Sequence, residues 1–427
     1  MITRKLITRT TAAFLAIGLA ASITACSSGG SNPGGSNTGG SNAGNQTLTI
    51  VSYSPGPDKK AREQFVADEF MKANPGTTVT VTLVPSDNYD SLIRSEIQAG
   101  KSPDLFEVLN NLSGLQPYVD AGLLQDLSDQ PWVSRQVSGV QATKSYFGKV
   151  YQYTAELNAI GVIYNKDIFA KYNVSVPTTW EEFQADIAKF KAAGVIPLAT
   201  GAKDGWPLPV QLEGMVVQNT ELAVGTQTAS QLQQGTLAFS KSQAWSEALN
   251  DFQGMVKEGA FDPQASGVTW PDSAAQMANG KAAMMIQATF AFPLIRQNNA
   301  NVNLGMFPLP YKEPVVGFGL GAMLAMPKSG NTALAEKFLN FFSSASVMSE
   351  WVQKGASISP FTDVTSATDP ASDDLITALQ KSGAEYNIST GIAASTAAVL
   401  TPGLQGIVAG NETAAGLLQK LDAAQKQ

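Results

Sequence analysis

Residues 47–84, TLTIVSYSPGPDKKAREQFVADEFMKANPGTTVTVTLV, decide the fold class. Leu48 and Ile50 start a short strand. Phe65, Val66 and Phe70 share one helical face, which Asn74-Pro75-Gly76 terminates, and Thr78-Val79-Thr80-Val81-Thr82-Leu83-Val84 then alternates with period two. This is a β-α-β unit. The alternation continues outward. Helical periodicity recurs at 89–99, 180–193, 332–343 and 412–425, with short apolar strands at 105–109, 160–164 and 282–286 between. The pattern predicts an α/β protein whose helices cover mostly parallel sheets.

Upstream of that unit the chain is of another kind. Arg4, Lys5 and Arg9 precede an apolar stretch, Thr11 to Thr24, too short to span a bilayer, as an export signal requires. The signal, 1–25, ends in Ile23-Thr24-Ala25-Cys26. Residues 27–46 are almost wholly Gly, Ser, Asn and Thr, a composition that forms a flexible tether with a reach on the order of 25 Å. Residues 47–427 exceed what one hydrophobic core usually serves, so two lobes are expected.

Composition excludes whole classes of chemistry. The chain has no histidine and one cysteine, which removes Ser-His-Asp and Cys-His nucleophile systems, the usual zinc sites and disulfides. Carboxylate-pair glycoside hydrolysis survives that test, because it needs only two acids. No D-x-[DN]-x-[DN]-G calcium loop occurs, and no metal or cofactor is expected. A net charge of -7 argues against nucleic acid as a partner. Gly317, Gly319 and Gly321 are spaced G-x-G-x-G with no helix at once behind them, which suits a close backbone approach better than a dinucleotide loop.

Residues 147–183, FGKVYQYTAELNAIGVIYNKDIFAKYNVSVPTTWEEF, carry a family resemblance. Gly148-Lys149 with Tyr151, the strand ending Tyr164-Asn165-Lys166-Asp167 with Phe169, and Pro177, Thr179, Trp180, Glu182 and Phe183 resemble the family 1 extracellular solute-binding proteins of ABC importers, the group of the maltose-binding proteins. GKAAM at 280–284 and VGFGLGAMLAMPKSGNTALAEKFLNFF at 316–342 resemble two further blocks of that family, in the same order. The end of the signal resembles a bacterial lipobox, which implies a lipidated Cys26 at the mature terminus and a membrane anchor. The resemblance implies two α/β lobes of the periplasmic-binding, Venus-flytrap type, at 47–157 plus 318–345 and at 160–312 plus 349–427, with solute held in the hinge cleft.

Thr179 and Glu182 fit a helix capping box, and Glu181 and Glu182 sit in the first turn, so the paired glutamates are a helix start before they are an acid/base pair. Ligand candidates are aromatic residues and amides at strand ends, because sugars offer C–H faces and hydroxyls. By resemblance, Phe290 in GKAAMMIQATFAF takes the place of a sugar-stacking tryptophan. Asn158 takes that of an acidic hydroxyl-binding residue, and Asn111, with its neighbour Asn110, that of another. Trp270 takes that of a cleft aromatic, Trp206 in GAKDGWPL falls in the loop that supplies further contacts in the family, Tyr53 resembles the family's early tryptophan, and Gly317 borders the crossing between lobes. Phe290 also reads as a core phenylalanine. The implied activity is capture of a mono- or oligosaccharide by a non-enzymatic, monomeric receptor that delivers it to a membrane permease. A tethered hydrolase, or a receptor for a polyamine, peptide or other small polar solute, remains open.

Overall fold

The first β-α-β unit forms as its pattern requires. Strands β1 (Gln46–Ser54) and β2 (Thr77–Pro85) pair in parallel over nine residues, and the Pro57–Ala73 helix between them buries Val66 and Phe70 against Leu48 and Ile50. The computed structural model describes residues 46–426, except 55–56, 109–111, 138–139, 141–143, 145–146, 219–227, 229–230, 233, 313–315, 383–385 and 388–392. The leader, Cys26, tether residues 27–45, Asn110 and Asn111 lie outside the described residues, and Gln46, expected at the end of the tether, instead starts β1.

The remaining described strands are β3 (Leu105–Val108), β4 (Gln152–Thr154), β5 (Leu157–Asn165), β6 (Ile196–Leu198), β7 (Ala282–Ala288), β8 (Leu304–Phe307), β9 (Gly317–Leu320), β10 (Met323–Ala325) and β11 (Tyr386–Asn387). They form two sheets. One runs β2-β1-β3-β10-β4; the other runs β11-β9-β5-β7-β6, with β8 also on β5. Neither is mostly parallel, contrary to the expectation from sequence. In the first, β10 is antiparallel to both neighbours; in the second, β5 is antiparallel to β7, β8 and β9. The physical reason is the route of the chain. β5 and β10 enter their sheets directly from a strand of the other sheet, not through a helical crossover of the kind that makes neighbours parallel.

Each sheet is covered by helices whose apolar stripes fall at helical spacing. Leu334, Phe338 and Phe342 of the Thr332–Phe342 helix and Trp351 of the Ala345–Gly355 helix pack on the first sheet with Phe70 and Tyr153. Phe183, Ile187 and Phe190 of the Trp180–Ala192 helix join Leu212, Phe252 and Met284 under the second. Local signals set the helix ends. Asn165 accepts from the amides of Asp167 and Ile168, and Thr179 Oγ1 accepts from Glu182 N. The Glu182 carboxylate turns back to Thr178, taking both its N–H at 2.7 Å and its hydroxyl at 2.9 Å. That cap commits the Glu182 carboxylate to structure.

The glycine run has a steric use at Gly321. A Cβ there would fall inside contact distance of Glu156 Cγ, so the two chain segments between the sheets approach closer than any side chain permits.

Candidate functional site

Three candidate aromatics, distant in sequence, come together at one end of the second sheet. Trp206 caps the Pro207–Val216 helix, Trp270 opens the Trp270–Ala278 helix, and Phe290 follows β7 to cap the Ala291–Asn298 helix. Their ring centroids lie 5.1 Å (Trp206–Trp270), 5.8 Å (Trp206–Phe290) and 6.1 Å (Trp270–Phe290) apart, at interplanar angles of 64°, 49° and 68°. Burial separates this trio from the core. Trp206 is 40% exposed, one of very few large apolar side chains left to solvent among the described residues, and Trp270 and Phe290 are half-buried. Phe292, two residues on, is the buried phenylalanine of this stretch.

Backbone clamps hold the rings. Asp204 Oδ2 accepts from Trp270 N at 2.7 Å, and Gln405 Nε2 donates to the carbonyls of Ala202 and Lys203. Gly201 has no room for a side chain, since a Cβ would stand 2.7 Å from Trp270 Cα and 2.8 Å from its N. Asp204, Gln405 and Gly201 carry no local signal in the sequence, because the partners of all three lie 66 or more residues away.

Three helix N-termini meet at the trio, an arrangement that would ordinarily favour an anion. Here most of their first-turn donors are withdrawn. Pro207, Pro209, Pro271 and Pro293 have no N–H; Leu208 N bonds Gly205 O, Trp270 N bonds Asp204, Asp272 N bonds Thr269 Oγ1, and Phe292 N bonds Thr289 O. The Thr269 hydroxyl and amide in turn hold the Asp272 carboxyl below the usual carboxylate range. Asp272 is thus spent on its cap and stays ionised, and Asp204 is taken up by the Trp270 amide, an arrangement that suits neither anion binding nor a general acid. What remains is an apolar surface of mutually inclined rings with two acidic side chains at its edge.

Asn158 lies beside it. It sits in β5 opposite Gly319, is 6% exposed, and its Oδ1 accepts from Thr289 Oγ1 at 3.4 Å, next to Phe290 in the chain. Gly317 lies in β9 opposite Tyr386. Tyr53 is on the other sheet, with no ring contact to the trio. Its ring meets Tyr89 edge-on at 5.8 Å and carries Lys59 Nζ 3.7 Å above it.

A buried ionic cluster behind Tyr53 was also absent from the sequence reading. Lys59 pairs with Glu107 and lies 3.9 Å from Glu63, and Arg62 pairs with Glu156 at 2.6 Å. Ser52, Glu63 and Glu107 line a cavity of about 20 Å³ here, room for about one water. Burial pushes the Glu107 carboxyl up to about 7 despite Lys59 and raises Glu63, whereas Arg62 overcomes burial at Glu156 and holds it below the ordinary value. The one available signal was Glu107 itself, a carboxylate inside the apolar strand LFEV. No group of three or more acidic, histidine or cysteine side chains suited to a metal occurs among the described residues.

Two helix-covered sheets, joined by direct strand-to-strand passages and bearing an open aromatic surface, define a two-lobe binding protein. The model of the bacterial extracellular solute-binding proteins matches residues 53–349, and the chain belongs to that family. It is 22% identical over 308 residues to a multiple sugar-binding protein of Streptococcus mutans, a match that covers 71% of this chain and 73% of the other. In structure it is similar to the binding protein RafE in complex with raffinose (TM-score 0.70, 21% identity, 88% of this chain and 98% of that one). It is equally similar to a sugar transporter from Bacillus licheniformis in complex with stachyose (TM-score 0.69, 20% identity, 89% and 100%). The protein is accordingly a two-lobe extracellular solute receptor and not an enzyme. Among the described residues no helix is long and apolar enough to cross a membrane.

Proposed function

We propose that this receptor captures a neutral mono- or oligosaccharide and hands it to the membrane permease of an ABC importer. The open trio of Trp206, Trp270 and Phe290 carries this reading. Rings held at mutual angles of 49–68° present faces in more than one direction, which matches C–H surfaces of a sugar and not the single plane of an aromatic solute. Withdrawal of the helix N-terminal donors speaks against an anionic solute. Asn158 supplies an amide for hydroxyls, and Tyr53, Gly317, Asn110 and Asn111 complete the contacts from the opposite lobe and the crossing. Relatives bearing sugar-binding names and sugar-bound neighbours support the same class of solute.

The lobes in this proposal, which close on the solute, are 47–157 plus 318–345 and 160–312 plus 349–427, corrected at one point: the Ala345–Gly355 helix goes with the first lobe, because Met348, Trp351 and Val352 pack in the core of that sheet. Arg4, Lys5 and Arg9, the short apolar stretch and Ile23-Thr24-Ala25-Cys26 support export and a lipid anchor at Cys26, with the body working as a monomer on its tether.

A thermal-shift screen against raffinose, stachyose, monosaccharides, amino acids and polyamines tests the solute class. A sugar at 100 times its dissociation constant is expected to add about 2.7 kcal/mol of stability. A shift with a polyamine or amino acid and none with any saccharide would refute the proposal.

A further inference from the structure

The segments that pass between the two sheets are laced side by side. Ala155 N donates to Ala322 O and Gly321 N to Glu156 O, each at 2.8 Å, while Leu157 and Ile358 exchange both backbone hydrogen bonds at 2.9 and 3.2 Å. One buried ion pair is wedged into this lacing. Arg62, reaching out from the Pro57–Ala73 helix, donates Nη1 to Glu156 Oε2 at 2.6 Å, and its guanidinium lies 4.4 Å over the Trp351 ring.

The pair occupies space that two glycines leave. A Cβ on Gly355 would fall inside contact distance of Arg62 Nη1, and one on Gly321 inside that of Glu156 Cγ. Neither glycine is in the left-handed region, so it is the missing side chain, not conformational freedom, that the position uses. The pair thus touches 155–157, 320–322 and 355–358 at once. A rotation of one sheet against the other moves these segments past each other and has to displace the pair. Buried ion pairs contribute little net stability over apolar groups of the same size, and their best-attested use is to fix one arrangement among several.

We propose that Arg62 and Glu156 are positioning residues of the hinge, which set the register of the three crossing segments, and so the resting angle of the lobes, without touching solute. The proposal rests on the reading of the protein as a receptor whose lobes close. Lys59, Glu63 and Glu107 lie directly behind the pair and link it to Tyr53, so the same cluster joins the hinge to the opposite wall of the cleft.

Hydrogen exchange on the solute-free protein tests it. Replacing both partners, Arg62→Met with Glu156→Gln, removes both charges and strands neither. The amides of Leu157, Gly321 and Ile358 are then expected to exchange at least about tenfold faster, while those of Ile50 and Val162 inside the two sheets keep their wild-type rates. Wild-type rates at the three crossing amides would overturn the proposal. Equal acceleration throughout both sheets would overturn it too, because that marks a loss of global stability. No solute enters the experiment, so its outcome is independent of whether the cleft binds a sugar.

Discussion

Arg62→Met, with Glu156 left in place, is expected to lose about 3–5 kcal/mol of folding stability at pH 8, because it strands a carboxylate that is 10% exposed. Three carboxylates, at 63, 107 and 156, would then share the single cation of Lys59. The loss should shrink at pH 5. Without its guanidinium, only the shared Lys59 charge and the Ala322 backbone contact oppose burial at Glu156, and its folded-state pKa is expected to rise above the unfolded value. The variant therefore regains stability as pH falls and the buried carboxylate takes a proton. Denaturant unfolding of both proteins at pH 5 and 8 measures the difference. An equal loss at both values would assign the effect to the packing of Arg62 on Trp351 and not to charge.

The wild-type protein is itself expected to be more stable near pH 5 than at pH 8. Burial pushes Glu107 up to about 7, Glu213, with no side-chain partner among the described residues, up to about 8, and Asp186 up to about 6. A carboxyl raised in the folded state binds a proton that the unfolded chain has already released, so stability falls as pH climbs from roughly 4.5 to 8. Asp369 and Asp126 act in the opposite sense. The Arg296 contact outweighs burial at Asp369, Lys149 draws Asp126 down to about 2, and their contribution is lost only in stronger acid. Glu213→Gln should raise the unfolding free energy at pH 8 by on the order of 1–3 kcal/mol and leave it unchanged at pH 5. A stability that climbs steadily from pH 5 to pH 8 would contradict this balance.

What could be read from the residues was what depends on near neighbours. The Thr78–Val84 alternation, the Asn74-Pro75-Gly76 stop, the Thr179 cap and the 332–343 stripe all appear as elements at or within a few residues of their expected places. Strand direction was not legible, since the antiparallel setting of β5 depends on where the chain comes from and not on its own side chains. The same division runs through the site. Trp206, Trp270 and Phe290 are visible as residue types in turns, but their convergence depends on Gly201 admitting the Trp270 backbone and on Asp204 reaching across 66 residues. The ionic cluster was hidden for a different reason. Lys59, Arg62 and Glu63 look like the solvated face of a helix, and only Glu107 and the Glu156 crossing bury them.

The most direct test of the sugar-binding account is the dissociation constant of Trp206→Ala for whichever saccharide most stabilises the wild-type protein. Loss of one stacking face is expected to cost about 1–3 kcal/mol, roughly one to two decades in affinity, and to leave the solute-free unfolding midpoint in place because Trp206 is 40% exposed. An affinity equal to wild type would contradict the account and place the solute away from the aromatic trio.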